Sequence, residues 1–376
     1  MTGQGRRRRL LVWCVAVAAV AGLLGGAVVV VDRYLERRYP ISTADLFGPS
    51  GTASASGGGT PTASPTPRPG ADITGPLDIL LVGIDTRESV PDWQPNADAI
   101  MILRMDADLT GGQLVALPRD LLVDIPAFPA TNYRGGQSKL NAAMAYGSRQ
   151  RDGGEPDIAR GFELLARTVG DYTGIDEFDA GAVLNFRGFR ELVDAVGGVD
   201  LRVDHRVASA HMRPDGTHRP AAAGGGYTGP QMVYEPGVRR FNGWQALDYA
   251  RQRYDLPNGA YDRQRHHQQL IKALLREVLS QRLATDPLAV DRVLTALGDA
   301  LVFDGRGQRP VDFAFALSNL RPDQLTLVAL PGSAVGQGAG YRGEELGQLG
   351  RRYLAELRAG RGAQFLAENP SLVIES

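Results

Sequence analysis

The chain has 376 residues, a formal net charge of -1 and 43% hydrophobic residues. That content is ordinary for a folded core of one large or two average domains. The near-neutral charge carries no global signal for nucleic acid or anionic surfaces. Cys14 is the only cysteine, so a disulfide framework within the chain is excluded.

An apolar run at 10–31 predicts one membrane-spanning helix. It carries no charged residue and is long enough to cross about 30 Å of hydrocarbon at about 1.5 Å per residue. Four arginines at 6–9 indicate a cytoplasmic tail, 1–9, and place the rest of the chain outside the cell. A cleaved signal peptide is the alternative, but no small-residue cleavage site follows the run. We therefore expect a single-pass protein of the cell membrane.

The next stretch, 32–76, predicts an extracytoplasmic tether. From about residue 41 it is rich in Ser, Thr, Gly, Ala and Pro. Such a composition cannot bury enough apolar area to order itself. The folded domain is therefore expected to be 77–376.

Three apolar runs at the start of this domain predict buried strands: 77–84, 99–105 and 113–117. Because their connections are short, we expect an antiparallel meander. The end of the first strand, the start of the second and the end of the third then meet at one sheet edge. Asp85, Asp98 and Arg119 are therefore predicted to be neighbours.

The remaining pattern alternates between helix and strand, which predicts an α/β fold with a mixed sheet. Amphipathic helices are expected at 161–170 and 187–196, a strand with Val199, Leu201 and Val203 on one face, and a long exposed insertion at about 209–236. Asn242 is expected to cap a helix that ends at Arg251, and Asp262 to cap another. Arg263 and His267 share one face of the latter's first turns, where the helix dipole favours an anion.

Arginines are concentrated in the window 251–265, which holds four of them in fifteen positions. A guanidinium is a planar fork that pairs with two oxygens at once, so several converging on one point suit a pyrophosphate. The alternatives are structural: Arg119 could pair with Asp120, and Arg251 or Arg253 could cap helix carbonyls. It is less economical to assign structural roles to all five arginines, that is, to Arg119 and the four in this window.

Asp85 and Asp98 at one sheet edge suit Mg²⁺ (or Mn²⁺), which takes one or two protein oxygens and completes its octahedron with water and phosphate. The alternative for each residue alone is structural: Asp85 could form the turn after the strand, and Asp98 could be a solvated charge in a loop. The histidines have no zinc-ligand spacing with cysteine. The glycine-rich runs lack a Walker lysine, and no Gly-x-Ser-x-Gly elbow occurs.

These residues resemble the LytR-CpsA-Psr family of cell-envelope proteins over essentially the whole domain. The matching segments are 79–87, 97–101, 117–120, 139–143, 186–199, 241–247 and the arginine window. A single membrane-spanning segment followed by an outside domain is also the family's topology. Together these segments make the resemblance highly specific.

The resemblance implies an α-β-α sandwich with an apolar tunnel for a lipid and a Mg²⁺-bound pyrophosphate at its mouth. It implies transfer of a glycopolymer from an undecaprenyl-pyrophosphate carrier to peptidoglycan, with formation of a phosphodiester. By matching position, Asp85 and Asp98 would address the metal. The arginines that would hold the pyrophosphate, with catalytic roles for the first three, are Arg119, Arg251, Arg253 and Arg263. Lys139 and His267 would assist substrate binding.

The sequence departs from the family pattern at three positions. Asn96 stands where the family usually has arginine, Ala260 where it often has aspartate, and His267 where it often has glutamine. These changes remove a cation and a carboxylate from the expected ligand set. A non-catalytic polyprenyl-phosphate binder or envelope scaffold is therefore one alternative hypothesis. A pyrophosphatase, which would use the same pocket with water as the acceptor, is the other. A nucleic-acid partner is not expected, because no basic recognition helix is present.

Overall fold

The computed structural model describes residues 46–47, 70–86, 92–253, 256–280, 297 and 300–374. The predicted membrane segment, 10–31, and most of the predicted tether lie outside these ranges. Within them, no helix combines the length and the apolar character that crossing a bilayer requires.

A seven-stranded mixed sheet forms the centre of the fold. Its strands are β1 Leu77–Ile84, β2 Ala97–Met105, β3 Gly112–Ala116, β6 Ala180–Asn185, β11 Leu301–Asp304, β12 Leu325–Ala329 and β15 Val373–Ile374. Their order across the sheet is β11-β6-β1-β2-β3-β12-β15. The predicted antiparallel meander β1-β2-β3 is confirmed. β6 and β12 extend it with parallel pairs on β1 and β3, so the predicted α/β class with a mixed sheet is also confirmed.

Helices cover both faces of this sheet. They are α1 Ala142–Ser148, α2 Ile158–Thr173, α3 Phe186–Ala195, α4 Gly243–Arg251, α5 Ala260–Ser280, α6 Pro310–Ala316, α7 Gln348–Arg358 and α8 Gly362–Glu368. Side chains of β1 alternate between two cores, as the twofold strand repeat requires. Ile79 and Leu81 pack with residues of α3, α4 and α5. Leu80 and Val82 pack with residues of α1, α2 and α7.

Smaller paired strands lie outside the central sheet. They are β4 Leu122–Ile125 with β5 Gly136–Lys139, β7 Val199–Val203 with β10 Gly237–Phe241, β8 Val207–Ala208 with β9 Val233–Tyr234, and β13 Gly332–Val335 with β14 Gly343–Leu346. Val199, Leu201 and Val203 are buried while the residues between them are exposed. The predicted one-faced strand is therefore confirmed.

The first ordered contacts of the domain begin earlier in the chain than Leu77. Leu46, inside the predicted tether, is fully buried, and its backbone N–H donates to Asp304 Oδ2 at 2.9 Å. Phe47 packs edge-on against Phe162, with ring centroids 5.5 Å apart. Leu46 and Phe47 therefore pack against apolar parts of the domain, although the segment they belong to is on average too polar to fold.

Asp262 is not the cap of α5, contrary to the sequence prediction. The helix begins at Ala260, which places Asp262 in its first turn. There its carboxylate accepts hydrogen bonds from the backbone and the side chain of Asn258, at 2.8 and 3.2 Å. An acidic side chain that reaches back to a free N–H just before a helix stabilises its start as a cap would.

Candidate active site

The edge of the meander brings Asp85 and Asp98 to one pocket. β1 and β2 pair in regular register up to Gly83 and Ala99, after which Ile84 pairs with Ala97. Asp98 is therefore the extra residue of a β-bulge and has no cross-strand partner. Bulges redirect a side chain that regular pleating would aim elsewhere, and here the carboxylate lines a polar pocket at the end of β1.

Arg119 follows β3 and reaches the same carboxylate. Its Nη1 donates an ion-paired hydrogen bond to Asp98 Oδ1, and its Nε lies 3.8 Å from Asp120 Oδ2. Asn141 joins the two segments through the backbone. Its N–H donates to Arg119 O at 2.9 Å, and its carbonyl accepts from Ala97 N at 3.3 Å. Main-chain hydrogen bonds therefore hold the segments of Asp98 and Arg119 next to each other, as predicted.

The C-terminal end of α4 supplies two more guanidiniums. The helix starts at Asn242 with a capping box completed by Gln245, as the sequence predicts for this cap. At the other end, Arg251 stacks its guanidinium 4.7 Å from the centre of the Phe186 ring. Arg253 Nη2 lies 3.7 Å from Asp98 Oδ1, so two arginines share one carboxylate oxygen.

The first turns of α5 add a buried arginine and a neutral histidine. Arg263 is only 4% exposed, and its pKa is lowered to about 10 because the side chain is desolvated and lies near Arg119 and Arg253. Burial, with the nearby Arg263, lowers the pKa of His267 to about 4. The ring is therefore neutral at pH 7, and its Nε2 lies 3.0 Å from the carbonyl oxygen of Ala250 as a donor.

Most of these side chains enclose a pocket of about 230 Å³, named here the polar pocket, but Arg119 is not part of its wall. Its wall is formed by Asp85, Asp98, Phe186, His211, Ala250, Arg251, Arg253, Arg263 and His267. Cations outnumber carboxylates in this small volume, which attracts an anion strongly where water is partly excluded.

Lys139 does not line the polar pocket. Its Nζ lies 3.5 Å from Asp120 Oδ1 and 4.5 Å from the centre of the Tyr341 ring. Asp120 also approaches Arg119. The structure therefore places six of the eight predicted site residues in the wall of the polar pocket and leaves Arg119 and Lys139 outside that wall.

An apolar cavity of about 100 Å³, named here the apolar cavity, adjoins the polar pocket. It shares Asp98, Phe186, Ala250, Arg251 and His267 with that pocket, and the rest of its wall is Leu81, Val82, Gly83, Ala99, Met101, Ala182, Leu184, Phe189, Leu247, Leu270, Ile271 and Leu301. Ligand pockets are commonly about 300–1,000 Å³. The apolar cavity is smaller than this range, so the expected lipid tunnel stays a prediction.

The two carboxylates of the polar pocket fit the ligand chemistry of Mg²⁺. Both arginine contacts to Asp98 fall on Oδ1, which leaves Oδ2 as the oxygen that could face a metal. One or two protein carboxylates with phosphate oxygens are a common Mg²⁺ environment. Among the described residues, no group of three or more metal-binding side chains comes together.

His211 and Phe186 are wall residues that the sequence did not identify. Phe186 opens α3 and provides the ring under Arg251. His211 lies in the segment predicted as an exposed insertion, yet it reaches the polar pocket. Its pKa is lowered by burial and by Arg251. A histidine in an irregular segment carries no periodic signal, so only the folded chain reveals this placement.

Comparison with known proteins gives a family match. Residues 52–345 match the model of the LytR_cpsA_psr family. Biofilm regulatory protein A of Streptococcus mutans is 30% identical over 209 residues, which make up 54% of this chain and 45% of that protein. The polyisoprenyl-teichoic acid–peptidoglycan teichoic acid transferase TagU of Enterococcus faecalis is 29% identical over 254 residues, 66% and 70% of the two chains.

A third relative is the cell wall biosynthesis protein LcpA of Corynebacterium glutamicum. It is 29% identical over 301 residues, or 72% of this chain and 53% of that protein. The alignments therefore span about half the length of Biofilm regulatory protein A and of LcpA.

Solved structures share the fold. A crystal structure from Streptococcus agalactiae superposes with a TM-score of 0.57 at 25% identity, covering 77% of this chain and 87% of that one. TagT bound to LI-WTA superposes with a TM-score of 0.55 at 20% identity, covering 76% and 90%. At such identities the common feature is the mixed α/β architecture around a central sheet.

Proposed function

Since the chain belongs to the LytR-CpsA-Psr family, we propose that it transfers a glycopolymer from an undecaprenyl-pyrophosphate carrier to peptidoglycan. Relatives named as a teichoic acid transferase and a cell wall biosynthesis protein support this assignment. The observation that carries it is the contact between a cationic polar pocket and an apolar cavity through five shared residues. A lipid pyrophosphate consists of an anionic head group joined to an apolar chain, which match the polar pocket and the apolar cavity respectively.

The arginines would bind the pyrophosphate from several sides. Arg263 is buried and has two guanidiniums near it, so it gains the most when an anion enters. Arg119 and Arg253 meet at Asp98, so Arg119 is tied to a residue of the pocket wall. Arg251 is held against Phe186 at the boundary with the apolar cavity. Charge neutralisation and alignment of this kind are the main means of catalysing phosphoryl transfer.

The reaction is a substitution at phosphorus. The oxygen of an acceptor hydroxyl attacks the phosphorus that carries the sugar, and the bond from that phosphorus to the bridging oxygen breaks. The hydroxyl proton is lost to a base, undecaprenyl phosphate leaves, and the glycan becomes joined to peptidoglycan by a phosphodiester. The arginine set stabilises the negative charge that develops on the leaving phosphate.

Asp85 and Asp98 would hold the Mg²⁺ or Mn²⁺ of this reaction. When bound, such an ion neutralises phosphate oxygens and orients them. In a titration with Mn²⁺ and inorganic pyrophosphate, followed by electron paramagnetic resonance, we expect one pyrophosphate-dependent site. Asp85→Asn should weaken it, and unchanged binding would remove Asp85 from the ligand set.

The substrates imply an extracytoplasmic site next to the lipid membrane, which agrees with the apolar run at 10–31 and the arginines before it. This topology is part of the proposal. A protease added to intact spheroplasts should remove the domain, whereas protection of the domain would contradict it.

A transfer assay on the purified full-length protein tests the function. Lipid-linked saccharide, a peptidoglycan oligomer and Mg²⁺ should yield lipid phosphate and covalently joined glycan. Arg119→Ala should lower the rate about 100-fold or more, as loss of one charge-stabilising donor does. A wild-type rate in that variant would contradict the proposed role.

The same assay separates the two alternatives. The changes at Asn96, Ala260 and His267 are the features that favour a non-catalytic binder. Binding of the lipid pyrophosphate without turnover would support that function, and phosphate release without an acceptor would indicate a pyrophosphatase.

A further inference from the structure

A third cavity, of about 380 Å³, borders the polar pocket and is named here the aromatic pocket. The two share His211 and Arg251. We propose that the aromatic pocket binds the sugar ring esterified to the pyrophosphate. The inference rests on the proposed function and adds to it the site at which the donor's first sugar is recognised.

The meeting of the three cavities carries the proposal; the apolar cavity and the aromatic pocket also share Leu247 and Arg251 with each other. Arg251 lines all three of them. The apolar cavity and the aromatic pocket each adjoin the polar pocket through residues that they share with it. A donor in which a lipid, a pyrophosphate and a sugar are joined in that sequence therefore has a chemically matched cavity for each part.

The wall of the aromatic pocket has the composition that a pyranose requires. Trp244 and Tyr227 contribute aromatic rings to the wall, while Arg190 and His211 bring polar groups to the same space. A pyranose has a face of C–H groups that packs on an aromatic ring and a rim of hydroxyls that needs donors and acceptors. Pockets for such ligands combine apolar and aromatic walls with a few directed polar groups.

The segment 209–236, predicted as an exposed insertion, is folded so as to build one side of this pocket. Ser209 is buried, and its hydroxyl donates to Asp248 Oδ1 at 2.8 Å. Arg219 ties the segment together by donating to the carbonyls of Ala210, Tyr227 and Gly229 at 2.7, 3.1 and 3.2 Å. Backbone groups fixed in this way hold the side chains that the segment carries.

Trp244 is fixed by a close approach of the same segment. Gly216 has a φ of +81°, and a Cβ added to it would lie 3.1 Å from Trp244 Cε2, so only glycine allows the turn to lie on the indole. Tyr227 meets His211 edge-on, with ring centroids 5.0 Å apart. Both aromatic walls are therefore positioned by packing before any ligand binds, which reduces the entropy cost of binding.

A metal site is the competing interpretation of His211 and His218 in this pocket. Within the described part of the chain, these histidines do not belong to any cluster of three potential ligands. The pKa of His211 is lowered by burial and by Arg251, so the ring is neutral and can donate to or accept from a hydroxyl.

Calorimetric titration of the full-length protein with two lipid-free probes tests the proposal. The probes are inorganic pyrophosphate and a hexose esterified to pyrophosphate. The wild type should bind the hexosyl probe about tenfold more tightly, the gain from one or two added hydrogen bonds or a ring contact. Trp244→Ala and Tyr227→Ala should abolish that preference and leave pyrophosphate binding unchanged.

Controls keep folding defects and other sites apart from the result. Tyr227 is 42% exposed, so its truncation is not expected to unfold the domain, and Trp244→Phe should keep part of the preference. Tyr133→Ala removes a tyrosine that stacks on Tyr146 and lines none of the three cavities, so the preference should persist.

Equal affinity for the two probes in the wild type, or a preference that survives both alanine substitutions, would overturn the proposal. Binding of a free peptidoglycan disaccharide that the two substitutions abolish, without any hexosyl preference, would instead assign the aromatic pocket to the acceptor. Because neither probe carries a lipid and no transfer is measured, these outcomes do not depend on whether the transfer assay succeeds.

Discussion

Two faces of the first turns of α5 carry the same residue types in opposite roles. Arg263 and His267 face the polar pocket. Arg265 and His266 face away from it: Arg265 pairs with Asp204 at 3.1 Å and Asp262 at 3.2 Å, and His266 stacks on Tyr249 with ring centroids 4.1 Å apart. Position on the helix, and not residue type, separates the pocket-lining side chains from the structural ones.

Arg263 and Arg265 also differ in the charges that surround them. Two carboxylates compensate Arg265. Arg263 is more buried, and its pKa is lowered by desolvation and by Arg119 and Arg253, against the opposing effect of Asp98 and Asp120. A buried cation near other cations is costly unless an anion joins it. The proposed ligand-binding face is therefore the one on which positive charge is less fully compensated.

The largest expected contrast is in catalysis. Arg263→Ala should reduce the rate of lipid-phosphate release about 100-fold or more, because the pyrophosphate loses a buried donor. Arg265→Ala should stay within about threefold of wild type, a change of less than about 0.7 kcal/mol in the barrier. Initial rates at fixed lipid-linked saccharide check the pair, and equal losses would show that the two faces do not differ in function.

The histidines should show the reverse contrast in stability. His266→Ala should lower the free energy of unfolding by about 3 kcal/mol, because it removes a fully buried ring stacked on Tyr249. His266→Phe keeps the ring and should remain close to wild type. His267→Gln, at the pocket wall, should cost less than about 1 kcal/mol. Urea unfolding measures all three, and a larger cost for His267→Gln would break the comparison.

Acid should weaken the fold through His267. Its pKa is about 4 in the folded protein and about 6.5 when unfolded, so the unfolded chain binds more protons between these values. Stability is therefore retained above about pH 6.5 and lost as the pH falls towards 4, by about 2 kcal/mol at pH 5. Urea unfolding at pH 7 and pH 5 should show a smaller difference in His267→Gln. An identical difference would contradict the low pKa.

The smallest expected effect is the stability change at the arginines. Arg265→Ala should destabilise the fold by about 1 kcal/mol, because Asp204 and Asp262 lose a shared partner. Arg263→Ala should be neutral or slightly stabilising, since it relieves desolvation and repulsion from Arg119 and Arg253. Thermal unfolding without ligand compares the two variants. A clear loss of stability in Arg263→Ala would mean that this side chain has a structural role.

Much of the site was predictable because it depends on short-range rules. Hydrophobic runs and short turns predicted the meander, and the meander predicted that Asp98 and Arg119 would meet. Asn242 was recognisable as a cap from its position before an amphipathic segment. Lys139 was predicted at the site from matching position alone, and the structure leaves it beyond Asp120.

By itself, the sequence determined the three strands of the meander, the strand with Val199, Leu201 and Val203 on one face, and the helix face that carries Arg263 with His267, because backbone geometry repeats with fixed periods. Only the tertiary structure decided that a bulge aims Asp98 into the pocket, that Leu46 is buried, and that 209–236 folds back to place His211 beside Arg251. These outcomes depend on contacts between residues far apart in the chain, and no local period encodes such contacts.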